Sequence, residues 1–322
     1  MRGQPETARV SLVLIDAPFH LGLKRPRPDR EPGARYGGWQ LRQMGLLERL
    51  AARDGGELAA PGYTGERDEA TGVLHGTLLA DAAMQLADRL EPLLAGGEFP
   101  LVLGGDCTIV LGAGLALARR GRHGLLYVDG HRDLLLPADS QSGSAAGMAL
   151  ALAVGLGPEA LTHIEGHNPL FNPEDVLVFG TRDEDRWYQD ATLEFQRDRM
   201  HTVTLDAARS EEVPRALRRR LPAIAEGANA GFWLHLDVDV LDDGIMAATD
   251  ARAPGGMSSA ELVELLRSAI ASGRCLGMHV TNYDPERDRG SVAARILVEI
   301  LSSGLAALSP PKDPIAPPIE PT

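Results

Sequence analysis

The sequence predicts an α/β fold in which helices flank a mainly parallel sheet. Three observations carry this reading. Apolar, β-branched-rich runs alternate along the chain with segments of helical periodicity. Those runs are continuous, as expected of strands covered on both faces. Two of them end in clustered acids, and open parallel sheets build their sites outside the carboxyl ends of the strands.

The strand-like runs are "VSLVLI" (10–15), "FPLVLG" (99–104), "GLLYVD" (124–129), "DVLVFG" (175–180), "HTVTL" (201–205), "GFWLHLDVDV" (231–240) and "RCLGMHVT" (274–281). Helical spacing marks 41–52, 78–94, 110–120, 213–225, 258–272 and 291–305. Ser258 and Glu261 form a capping-box signal, and Gly273 supplies the stop. Long loops at 22–40, 54–74 and 134–146 are candidates for site-lining segments. The chain reads as one domain over 1–308, followed by an irregular Pro-rich tail over 309–322.

With 322 residues, 44% of them hydrophobic, the chain can bury a substantial core. A net charge of −13 and the lack of a long Lys/Arg run argue against nucleic acid and membrane surfaces as partners. The N-terminal apolar run is interrupted by Asp16 and Pro18 and reads as a strand, not a signal peptide. No stretch approaches the roughly 18 to 20 apolar residues of a membrane span. Two cysteines, Cys107 and Cys275, lie in no disulfide framework, so a cytoplasmic location is expected.

The acids pose the chemical question. Side chains at i, i+2 and i+4 of a strand share a face, and Asp129, His131 and Asp133 have that spacing, as do Asp237 and Asp239. Four converging carboxylates without a counter-ion would repel one another, and two divalent cations would remove the conflict. Asp and His suit Mn²⁺, Zn²⁺, Fe²⁺ or Co²⁺, and such a pair can generate hydroxide near neutral pH. Any one of these acids alone could cap a helix or face solvent. A third element runs from "LVLGG" through Asp106, Cys107 and Thr108 into a helix. Cys107 there is either a thiolate favoured by the helix dipole or a small buried residue at a tight turn.

The ordered motifs resemble those of the ureohydrolase (arginase/agmatinase) family over nearly the whole chain. "IDAPFHLGL" (15–23) and "GARYGGWQLRQMGLLERL" (33–50) look like the family's opening segments. "GGDCT" stands for Gly-Gly-Asp-His-Ser, "DGHRD" for Asp-Ala-His-x-Asp, "DVDVLDD" for the Asp-Val-Asp segment and "TNYDP" for Glu-Val-Asn-Pro. The resemblance implies a three-layer α/β/α fold around a mostly parallel, eight-stranded sheet. It implies two divalent metals, Mn²⁺ foremost, one held by Cys107, Asp129, Asp133 and Asp237, the other by Asp129, His131, Asp237 and Asp239. It further implies attack of a bridging hydroxide on a guanidinium carbon, releasing urea and an amine. Asp129 and Asp237 would bridge the metals and Asp133 would handle the proton. A homo-oligomer, trimer or hexamer, is also implied.

Four departures bear on the activity. Cys107 replaces a His ligand, and its softer thiolate admits Zn²⁺, Fe²⁺, Co²⁺ or Ni²⁺. Asn282 falls at the Glu that pairs with the substrate guanidinium, Ala146 at a His proton shuttle, and Ser144 at a polar Asn of the substrate stretch. The expected substrate is therefore a guanidino or amidino compound other than plain arginine, such as an N-hydroxylated guanidine. The alternative is a catalytically degenerate relative with a binding or structural role. Asp250 and His20 are further substrate-contact candidates, although Asp250 could instead cap a turn. Arg132 reads as a salt-bridge partner behind the sheet end in preference to a substrate clamp, and His279 as a satisfied buried histidine.

Overall fold

The computed structural model describes residues 11–226 and 230–308, so the tail over 309–322 lies outside the described residues, as do residues 1–10. Eight strands form one sheet: β1 (Leu12–Ala17), β2 (Arg53–Glu57), β3 (Phe99–Gly104), β4 (Gly124–Val128), β5 (Val176–Thr181), β6 (His201–Thr204), β7 (Phe232–Asp237) and β8 (Cys275–Thr281). Their order is β2-β1-β3-β8-β7-β4-β5-β6, and every pairing between them is parallel. The expected mostly parallel sheet is thus entirely parallel.

Strand alternation divides the core into two layers. Leu12, Leu14, Leu101, Leu126, Leu234 and Leu236 face the helices Val213–Arg220, Ser259–Ala271 and Val292–Gly304. Val13, Ile15, Val102, Leu125, Val178 and Trp233 face the helices Thr77–Ala95 and Ile109–Ala118. Leu79, Leu86, Leu90 and Leu94 make the buried stripe of Thr77–Ala95, each contributing about 1.5–3 kcal/mol on full burial. The Ser258–Glu261 capping box is present, and Gly273 adopts φ +66° as the stop.

Several sequence expectations change. β2, "RDGGE", carries no apolar run, because it is an edge strand that pairs with β1 alone. The helix expected over 41–52 is broken at Gly45, which has φ +81°. The segment 213–225 divides in two at Pro222. The helix Asp190–Arg199 is too polar to announce itself by periodicity. Among the described residues, no helix is long and apolar enough to cross a membrane.

The topology places β3, β8, β7 and β4 side by side at the centre of the sheet. Their carboxyl ends carry Cys107, Asn282, Asp237 and Asp129 respectively. Each of these four strands enters its turn beside the next, so short loops suffice to bring four motifs from distant parts of the chain together.

Candidate metal centre

Gly105 makes the turn after β3 feasible. A Cβ there would lie 1.9 Å from the Phe19 carbonyl oxygen, so only glycine permits this approach. Asp106 then locks the turn by accepting from the Gly22 and Thr108 amides, both at 2.8 Å, and from the Thr108 hydroxyl at 2.6 Å. Cys107 follows, fully buried.

The strand alternation expected to align the acids stops short of them. β4 ends at Val128, and Asp133 lies in a loop with φ +50°, in the left-handed region. β7 ends at Asp237, and Asp239 is reached through a 3₁₀ turn in which Asp237 Oδ1 accepts from the Asp239 amide at 2.8 Å. Local hydrogen bonding, not an extended chain, therefore sets the convergence. Asp129 Oδ1 likewise accepts from the His131 amide at 2.7 Å.

Among the described residues, two groups of ligand-type atoms gather at this rim, each group with all its atoms within 4.8 Å of one another. One comprises Cys107, Asp129, His235 and Asp237; the other comprises Asp129, His131 and Asp239. Asp129 is common to both. The Cys107 thiol donates to Asp237 Oδ2 at 2.9 Å, and His131 Nδ1 lies 2.9 Å from Asp239 Oδ2. Asp133 stands beside them, accepting from the Tyr127 hydroxyl at 2.6 Å. Asp129 Oδ2 and Asn282 Oδ1 are buried with no hydrogen-bond partner.

The electrostatics are those of acids short of positive charge. Burial, then the Asp239 charge, pushes the Asp129 carboxyl up to about 7. Burial and then neighbouring carboxylates hold Asp133 and Asp237 well above the usual carboxylate range. The Cys107 thiol is raised by burial and by Asp237. Burial opposes charge on His131, but Asp239 and Asp129 outweigh it and push the imidazole up to about 12. A buried donor set of carboxylates, imidazole and sulfur, with an orphaned carboxylate oxygen at its centre, fits divalent cations.

A cavity of about 330 Å³ opens onto the cluster, lined in part by His131, Asp133, Asp237, Asp239 and Asn282. Ser144 and Asp250 also line it, as does Ala146. The Ser144 hydroxyl is already engaged with the Gly22 carbonyl at 2.5 Å. His20 is not among the lining residues; it is buried against Tyr63, with ring centroids 5.0 Å apart, and its Nε2 is 3.2 Å from Glu31. Arg132 pairs with Asp185 at 2.6 Å and Asp183 at 3.3 Å and covers the Tyr188 ring, as the salt-bridge reading expected.

Two residues escaped the sequence reading. His235 lies two residues before Asp237 on the same face of β7, a position that the Asp237–Asp239 spacing does not reach. Trp187, 46% exposed, stacks on His131 with centroids 6.0 Å apart; nothing in the sequence links the two.

The arginase family model matches residues 11–306. The arginase of Brevibacillus brevis is 30% identical over 298 residues, covering 91% of this chain and 97% of that protein. The native arginase structure from Bacillus caldovelox superposes with a TM-score of 0.79 at 25% identity, over 91% of this chain and 97% of the other. Proclavaminate amidino hydrolase from Streptomyces clavuligerus shares the fold, with a TM-score of 0.65 at 21% identity over 95% and 94% of the two chains. A match across nearly every strand and helix described above, joined to that level of identity, means that this chain belongs to the arginase family.

Proposed function

We propose that this chain is a binuclear metal-dependent hydrolase that cleaves a C–N bond of a linear guanidino or amidino compound, one other than plain arginine. Its family is one of hydrolases acting on C–N bonds other than peptide bonds, in linear amidines. The observation that carries the reading is Asp129: it belongs to both groups of ligand-type atoms and is fully buried among further carboxylates.

On the family pattern Cys107, Asp129, Asp133 and Asp237 would hold one divalent ion, and Asp129, His131, Asp237 and Asp239 the other. When bound, such a pair supplies hydroxide near neutral pH by lowering the pKa of its water. Asp133 takes up the proton beside it, its carboxyl oriented by the Tyr127 hydroxyl. Asn282 lines the cavity and has an unpaired Oδ1 that would accept from a substrate N–H. That oxygen is neutral, so it recognises a guanidinium by hydrogen bonding without charge pairing. Leu135, Ala146 and Trp187 give the cavity an apolar wall. A modified guanidine of lowered basicity, N-hydroxylated for example, suits a neutral amide partner better than a fully charged guanidinium does, and the apolar wall disfavours a charged amino-acid head group.

Mn²⁺ is the proposed metal, with Zn²⁺, Fe²⁺, Co²⁺ or Ni²⁺ admitted by the sulfur of Cys107. A cytoplasmic homo-oligomer with one domain over 1–308 completes the proposal. The test loads the purified chain with each metal, measures metal per chain, and screens guanidino compounds for release of urea or hydroxyurea. About two ions per chain with turnover of a modified guanidine is expected. Turnover of none of the panel by chain carrying two ions would favour the degenerate reading, which the absent Glu and His motivate.

A further inference from the structure

Behind the ligand cluster lies a row of rings that the reaction above does not use. The sheet register sets Tyr127 opposite His235, and His235 opposite His279, across β4, β7 and β8. Tyr127 stacks on His235 at 3.9 Å between centroids and 4° between planes, and His279 meets His235 edge-on at 4.7 Å. One step earlier, Trp233 faces Gly277, where a Cβ would lie 2.4 Å from the indole ring. The missing side chain leaves room for the indole. All four rings are buried.

Hydrogen bonds join three of them in a line. Trp233 Nε1 donates to His279 Nδ1 at 2.9 Å. His279 Nε2 lies 2.5 Å from His235 Nδ1. His235 Nε2 then faces Asp129 Oδ2 at 3.5 Å. That separation is longer than a formed hydrogen bond by a few tenths of an ångström, and both atoms are buried without another partner.

The line has one consistent set of protons. Indole Nε1 is a donor only, so His279 Nδ1 must accept. A cationic His279 would oppose hydrogen to hydrogen there, so the ring is neutral and its proton sits on Nε2. That proton is donated to His235 Nδ1, which must therefore be bare. The remaining proton of His235 sits on Nε2 and points at Asp129. A metal ligand needs a lone pair at that nitrogen, and none is left.

We infer that His235 is a positioning residue, an N–H donor to the Asp129 carboxylate whose tautomer is imposed by Trp233 through His279, and not a metal ligand despite its place in the cluster. The inference rests on the reading of Asp129 as the shared metal ligand. The arrangement orients that carboxylate from a residue that is not among those lining the cavity, and leaves Cys107 as the sole non-carboxylate donor of its group. Imidazole–carboxylate contacts of this kind typically tune metal affinity about 10–100-fold.

The test uses the full chain labelled with ¹⁵N-histidine, metal-free and then loaded with Zn²⁺ alone, and long-range ¹⁵N–¹H spectra that identify which ring nitrogen carries hydrogen. Both rings are expected to be protonated at Nε2 and bare at Nδ1 in each state. Loss of the His235 Nε2 proton on Zn²⁺ binding, or the opposite tautomer in either ring, would overturn the inference. Trp233→Phe removes the fixed donor and is expected to give mixed tautomers; an unchanged single pattern would show that Trp233 imposes nothing. His235→Leu is expected to keep two Zn²⁺ per chain with affinity lowered about 10–100-fold, and His235→Gln, whose amide can both accept from His279 and donate to Asp129, to recover most of the loss. One Zn²⁺ per chain in His235→Leu would make His235 a ligand. Failure of the unaltered chain to take up Zn²⁺ would sink the metal-centre reading instead, and the ring tautomers remain readable without metal.

Discussion

The side-chain amide of Asn282 donates to the Cys107 sulfur at 3.2 Å and also to the Asp237 carboxylate. It thereby ties the end of β8 to the turn after β3 and to the end of β7. Two of the four positions at which this chain departs from the family motif, Cys107 and Asn282, are therefore in direct contact, and substitutions at either should report on both metal choice and substrate choice.

Cys107→His replaces a soft donor with a harder one. Competition between equal Mn²⁺ and Zn²⁺, read by elemental analysis of the purified variant, is expected to shift toward Mn²⁺ relative to the parent chain. An unchanged ratio would remove Cys107 from the ligand set.

Asn282→Glu restores a charge opposite a guanidinium. Hydrogen bonds to charged groups contribute about 1.5–3 kcal/mol against 0.5–1.5 for neutral ones, so kcat/KM for an unmodified guanidine should rise about tenfold. The selectivity for N-hydroxylated over unmodified substrates should fall with it. Steady-state assays on matched substrate pairs decide the matter, and a variant with unaltered selectivity counts against Asn282 as the guanidine partner.

Ligand sharing gives a stoichiometric contrast. Asp129 belongs to both groups of ligand-type atoms, whereas Asp239 belongs only to that of His131. Asp129→Ala should retain almost no metal, while Asp239→Ala should retain about one ion per chain. Equal losses from the two variants, measured by elemental analysis after dialysis, would contradict the shared role.

The pH dependence of the metal-free protein has a definite sign. Asp129 titrates near 7 when folded, against an ordinary 3.8, so the native state binds the extra proton between those values. Its stability contribution is complete below the unfolded value and is lost as pH rises through about 7. His131, raised to about 12, changes in the same direction above its unfolded 6.5. Metal-free protein should therefore melt at higher temperature at pH 6 than at pH 8, and Zn²⁺- or Mn²⁺-loaded protein should reverse the order because protons compete with the metal. Thermal scans of both forms across this range are the check.

Gly105→Ala should be among the most damaging single-methyl changes in the chain. The added Cβ meets backbone, the Phe19 carbonyl, at 1.9 Å, and backbone cannot step aside as a side-chain tip can. A loss of about 1–3 kcal/mol or more in denaturant unfolding is expected, with metal binding weakened because the turn carrying Cys107 shifts. Gly273→Ala, in open space at φ +66°, provides a comparison in which backbone strain acts alone.

Much of this was legible in the sequence because strand ends and motifs are local. The runs at 99–104 and 124–129 matched β3 and β4 to within a residue, since a strand buried on both faces must be apolar throughout. β2 was not legible: an edge strand with exposed residues carries no apolar signature. The spacing singles out the clustered acids, yet the extended geometry expected for them does not hold, because both strands stop before the last acid and turns complete the convergence.

The sequence by itself determined the layered α/β architecture, the acids at the sheet rim and the substitutions at Cys107, Asn282 and Ala146, since these follow from periodicity and residue identity along the chain. Only the tertiary structure decided that His235 joins Cys107, Asp129 and Asp237 in one group of ligand-type atoms, that His20 is not among the residues lining the cavity, and that Trp233, His279 and His235 form a line ending at Asp129. Those are relations between residues on different strands and loops, and they depend on inter-strand register and side-chain packing, which no short window of sequence encodes.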